Sequence, residues 1–160
     1  MKKYFLMAAI VLFGIGFMTS CKGDKKATDK TVLKHLPGTW KIVEEVDDDG
    51  ETSPVLEDIL LTFGKEGENV PEAHGSMSSI AGKFSMKVNG NTMVRNGRWN
   101  MEYDSSDPGV FMYCHDDEGR LIKFPDGESY FYIETISASK MKVIVEEFSD
   151  EGYILHRVVE

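Results

Sequence analysis

Turn dipeptides, and the distances between them, limit what this chain can fold into more than any other feature of it. They stand at Asp49-Gly50, Glu66-Gly67, Asn89-Gly90, Asn96-Gly97, Pro108-Gly109, Glu118-Gly119, Asp126-Gly127, Ala138-Ser139 and Glu151-Gly152, recurring every 7 to 13 residues in the second half. Asn-Gly and Asp-Gly supply the positive φ angles that tight hairpins require. Such spacing suits an all-β barrel or sandwich and leaves no room for the helices of βαβ units. Between the turns, apolar and polar residues alternate with the period of a half-buried strand. Phe84, Met86 and Val88 oppose Lys83, Ser85 and Lys87, and Trp99, Met101 and Tyr103 oppose Arg98, Asn100 and Glu102. Ile59, Leu61 and Phe63 form another inward set, and Met141, Val143 and Val145 oppose Lys142 and Glu146, with Ile144 breaking the pattern. One antiparallel sheet with a wet outer face, closed so that no edge is left unpaired, accommodates all of them.

The pattern predicts strands over residues 39–47, 57–64, 82–88, 92–103 with a bulge near Asn96-Gly97, 109–115, 119–124, 128–136, 140–147 and 152–159. Val110 to Tyr113 and Tyr130 to Ile133 are apolar on both faces. They either cover something outside the barrel or form an exposed patch. Glu68 to Ala81 shows neither period, and loops of that length inside a domain serve as lids or move.

Ahead of the strands the composition changes. Met1-Lys2-Lys3 is a short cationic start, and Phe5 to Phe17 is a run of 13 apolar residues and glycines. A membrane-spanning helix needs about 20, so residues 1–20 read as an export signal. The signal ends in Met18-Thr19-Ser20-Cys21, which resembles the lipobox of bacterial lipoproteins. That resemblance implies that Cys21 is acylated and carries a lipid anchor. Residues 21–35 contain five lysines and little to bury, the composition of a tether, with one helical turn around Thr31 to His35. Residues 36–160 form the barrel domain. Lys22 stands where lipoproteins kept in the inner membrane carry aspartate, which by the same resemblance implies the outer membrane, with periplasmic face or cell surface undecided.

Net charge is −9, and −11 once Lys2 and Lys3 leave with the signal. Such acidity argues against nucleic acid and anionic membrane surfaces as partners, so membrane contact falls to the acyl chains. With Cys21 lipidated, Cys114 is the one thiol left, no intramolecular disulfide forms, and the core alone holds the fold. Cys114 reads as a small buried hydrophobe.

The residues that could carry chemistry are poorly placed for it. Histidines 35, 74, 115 and 156 lack metal-ligand spacing. Cys114 and His115 are neighbours on a strand and point to opposite faces, which rules them out as a nucleophile–base pair. Asp47 to Glu51 has its glycine too early for a calcium loop, and the twelfth position is Asp58. No enzyme, metal or cofactor is expected. Inward methionines 86, 93, 101, 112 and 141 stand with Phe84, Trp99 and Tyr103. They make either a tunable apolar cavity or a filled core. In a cavity, Phe84, Met86, Trp99, Met101 and Tyr103 are the candidate ligand-binding residues.

Gly38-Thr39-Trp40, opening the first strand, is similar to the G-x-W signature of lipocalins. The longer pattern resembles the lipocalin-like domains of Bacteroidota lipoproteins: Leu61-Thr62-Phe63 with Gly67, then Gly97-Arg98-Trp99, then Lys140 to Val145 followed by Tyr153 to Val159. The second lipocalin signature, T-D-Y, has no counterpart. What the resemblance implies is an up-and-down β-barrel of about eight strands, either filled by side chains or holding one small ligand. It also implies that Arg157 of the last strand lies across Trp40, within about 6 Å of the ring. The alternative is that Arg157 faces solvent while Ile154, His156 and Val158 point inward. Two functions remain open, both non-catalytic. One is a module holding a small apolar or amphipathic ligand under the 68–81 loop. The other is an envelope protein with a filled core, using the outer faces near 110–113 and 130–133 against a protein partner.

Overall fold

Pro37 sets the chain into β1 (Gly38–Val46), whose Trp40 and Ile42 have no exposed surface. The computed structural model describes residues 25–67, 80–90, 93–102, 109–124, 129–145 and 151–159. Outside these fall the signal 1–20, Cys21, the 68–79 loop with His74, Tyr103, and the Asp126-Gly127 turn. After β1 come β2 (Thr52–Pro54), β3 (Ile59–Glu66), β4 (Ile80–Val88), β5 (Met93–Met101), β6 (Val110–Asp116), β7 (Tyr130–Ile136), β8 (Lys140–Ile144) and β9 (Gly152–Arg157). From β3 onward each strand pairs antiparallel with the next. Strand β9 returns to β1, from Trp40↔Arg157 to Val46↔Gly152, and closes the sheet. β2 pairs Glu44 to Val46 and β3 pairs Gly38 to Lys41, both on the side of β1 away from β9. They share one position, so the sheet is a closed, eight-stranded, up-and-down barrel. The expected fold class is the observed one.

Hairpin chemistry accounts for much of this. Asn89 and Gly90 take φ of 48° and 75°, positive angles that begin the turn after β4. Asp116 closes the turn after β6, its Oδ1 accepting from the backbone N–H groups of Glu118 and Arg120.

Three expectations are corrected. Residues 119–124 are not a strand: Leu121 bridges His115, the Ile122 N–H donates to the Cys114 carbonyl, and Ile122 and Phe124 turn into the core. Phe124 meets Phe131 edge-on at 4.7 Å. There is no bulge at Asn96-Gly97, because β4 and β5 pair without a break from Ile80↔Met101 to Val88↔Met93. Gly97 is there for a different reason. A Cβ on it would sit 1.7 Å from the His115 carbonyl oxygen, so only glycine lets β5 and β6 pass. The short exposed strand β2 was not anticipated at all.

The inward faces interlock into one core in which Trp40, Phe63, Trp99, Met101, Met112, Phe131 and Met141 are each at most 1% exposed. One end, the base, is stopped by α1 (Asp29–His35). Thr28 caps this helix by accepting from the Thr31 N–H, and Val32 and Leu36 enter the core. The helix is longer than the single expected turn, and it packs on the barrel where a loose tether was expected to continue to residue 35.

Candidate functional site

The base is built for closure. The Arg157 guanidinium lies 4.3 Å from the centre of the Trp40 ring, as the resemblance implied. Its Nε donates to the Ala138 carbonyl and Nη1 to the Pro37 carbonyl, both at 2.7 Å, and Nη2 donates to the His35 carbonyl. Trp40 Nε1 in turn donates to the Leu36 carbonyl at 2.8 Å. The end of α1, the first strand and the β7–β8 turn are thereby tied to one side chain. Gly38, with φ of 132°, leaves the room this needs, since a Cβ there would meet Arg157 Nη1 at 2.1 Å. Tyr153 and Leu155, rather than Ile154 and His156, join the core beside Arg157.

Above the base the barrel is solid. Phe84, Met86, Trp99 and Met101 all point inward and are at most 5% exposed, so the described part of the expected set does converge. Trp99 Nε1 donates to the Gly64 carbonyl at 3.0 Å, pinning the ring across the interior. Cys114 is fully buried, and burial pushes its thiol well above its ordinary pKa, away from the nucleophilic thiolate. His115 points the other way, its Nδ1 accepting from Asn100 Nδ2 at 3.2 Å. Partial burial, then the nearby Arg98 charge, lower the His115 pKa, against a smaller opposing pull from Asp116. Asn100 is completely buried, with no hydrogen-bond partner for its Oδ1 among the described residues. No cluster of three or more metal-ligating side chains occurs among those residues.

The opening is at the other end. A cavity of 870 Å³ lies at the mouth, between the β4–β5 hairpin and the 120–124 segment. Met86, Val88, Met93, Leu121, Ile122 and Phe124 give it an apolar lining, and Glu57, Asn89, Arg95, Asp116, Arg120 and Lys123 give it a polar one. Arg95 faces inward because it stands directly across from Met86 in the β4–β5 register, and opposed residues share a face. The Asp116 carboxylate is held below its usual pKa, first by the Arg120 backbone N–H, and its Oδ2 meets Arg120 Nε at 2.9 Å. Arg120 also pairs with Glu118 at 2.8 Å.

Of the expected ligand residues, only Met86 reaches this cavity; Phe84, Trp99 and Met101 lie in the packed region beneath it. Glu66 and Ile80 lie at the base end of β3 and β4, and the 68–79 loop expected to cover a ligand falls outside the described residues. Met93 was already placed inward by its spacing. Arg95, Ile122 and Phe124 were missed, the first because only the apolar members of the inward row were counted although Arg95 shares a face with Met93, the others because they read as strand. Uninterrupted alternation back from Trp99 would have found Arg95.

Outside the barrel, Phe111 touches three tyrosines, with centroids 5.8 Å to Tyr113, 5.7 Å to Tyr130 and 5.2 Å to Tyr132. The segments expected to be apolar on both faces are so, and Tyr130, at 39% exposed, reaches furthest into solvent. Comparisons with protein-family models, with curated proteins and with solved structures return no match. The architecture is a closed eight-stranded antiparallel barrel, compatible with a lipocalin-like fold.

Proposed function

We propose that this chain is a non-catalytic, lipid-anchored protein of the cell envelope, of the lipocalin-like type found in Bacteroidota lipoproteins, tied to the outer membrane through acylated Cys21. Its barrel holds one small amphipathic ligand at the mouth. The observation that carries the binding role is the 870 Å³ opening floored by methionine and phenylalanine above the packed side chains of the described core. Pockets of this size, mostly apolar with a few placed polar groups, are the usual form of small-molecule sites. Methionine suits a floor that must adapt to an irregular chain.

A second reading is favoured by the outer aromatic cluster around Phe111, which would serve as a contact surface for a protein partner. Titration with a neutral apolar fluorescent probe separates the two. The wild type should bind saturably. Met93→Glu, at a position already 47% exposed, should weaken binding about tenfold without unfolding the domain, whereas Tyr130→Ser should leave it unchanged. Absence of saturable binding, or loss of it only in Tyr130→Ser, would overturn the mouth as the site.

A further inference from the structure

We infer that the ligand is an anionic amphiphile: a single alkyl chain whose carboxylate or phosphate head is gripped by Arg95, with Lys123 as a second cation on the facing 120–124 segment. This rests on the mouth being a binding site and goes on to name its chemistry. The argument begins with parity. Met93, Arg95, Gly97, Trp99 and Met101 share the inward face of β5, so an arginine sits in a row otherwise made of apolar side chains and glycine. Strand alternation gives it no outward alternative. Gly97, next below, has no side chain to oppose it, and Trp99 below that seals the interior.

Arg95 makes no ion pair or hydrogen bond among the described residues, and neither does Lys123. Every charged group lining the cavity bears on this. Among the described lining residues, Asp116 and Arg120 satisfy each other, Arg120 has Glu118 besides, and Glu57 is the one remaining anion against two cations. The wall therefore carries a positive surplus on a chain whose net charge is −9. The guanidinium fork of Arg95, exposed at the rim, matches a carboxylate or phosphate with two parallel hydrogen bonds. The apolar surface lies deeper, at Met86, Ile122 and Phe124, each at most 5% exposed, while Arg95 is exposed at the rim. Head at the rim and chain on the floor is the orientation these positions permit.

The test titrates the full-length protein, at low salt and below micellar concentrations, with decanoate, decyl phosphate, decanol and decyltrimethylammonium. Decanoate or decyl phosphate should bind at least tenfold more tightly than decanol, the cation should bind worst, and the preference between the two anions names the head. Arg95→Gln should remove that tenfold advantage and leave decanol binding as it was. Lys123→Gln should give a smaller loss, and Arg95→Lys should recover only part of the affinity, since a point charge replaces a fork. Equal binding of decanol and decanoate, or an Arg95→Gln variant that keeps the preference, overturns the anionic head while leaving the mouth as a site. If none of the four binds the wild type, both fall together.

Discussion

Arg157 illustrates how one side chain can organise an end of a barrel. Its three donating nitrogens reach carbonyls of Ala138, Pro37 and His35 while its plane covers Trp40. Lysine could keep the charge but not the planar fork or the stack. Arg157→Lys should therefore lower unfolding stability by about 1–2 kcal/mol, read as a shift in the urea midpoint with an unchanged slope. A variant as stable as wild type would show that the contact is incidental. This residue was legible before any coordinates, because resemblance located both partners. Arg95 was not, since an arginine in a strand reads locally as a solvated surface residue, and only the register that sets it across from Met86 shows its facing.

At the scale of elements, alternation and turn residues located all eight of the barrel's long strands, missed the short β2 and misread one stretch. Residues 119–124 carry the apolar content of a strand, but Ile122 and Phe124 turn into the core as the floor of the mouth cavity and do not lie in a regular ladder. The core's demand for volume overrode the local period there. Asn96-Gly97 misled in the opposite direction, because the same dipeptide that makes a hairpin can also let two backbones pass closely. The two uses separate experimentally. Gly90 has φ of 75° and nothing within 4 Å of an added Cβ, so Gly90→Ala should cost about 1 kcal/mol from backbone strain alone. Gly97→Ala drives its methyl into the His115 carbonyl, where neither backbone can yield, and should cost about 3 kcal/mol or more. Equal losses in urea titrations of the two variants would contradict this account of Gly97.

For the whole molecule, the closed sheet and its eight-strand count could be read from the turn rhythm together with the resemblance. Which end is open could not. Both ends offer loops of similar composition, and only assembled packing shows that α1 and Arg157 stop one while the other keeps a cavity. Attachment is a property of this scale too. In fractionated cells the wild type should sediment with membranes, and Cys21→Ala should lose acylation and leave the outer-membrane fraction. A wild type found entirely soluble would remove the anchor.

The position of α1 has one more consequence. The chain enters the barrel at the base, where Lys26 bridges Thr135 and the Ala27 N–H reaches the Glu134 carbonyl. From there the opening lies the length of β5 away, eight residue steps from Met101 to Met93, or roughly 25 Å along the strand. With the proposed anchor at Cys21, the barrel would stand on its membrane stopper-down, with the cavity turned outward. The proposed ligand could then enter and leave while the protein stayed attached, and two such molecules on facing surfaces would meet mouth to mouth.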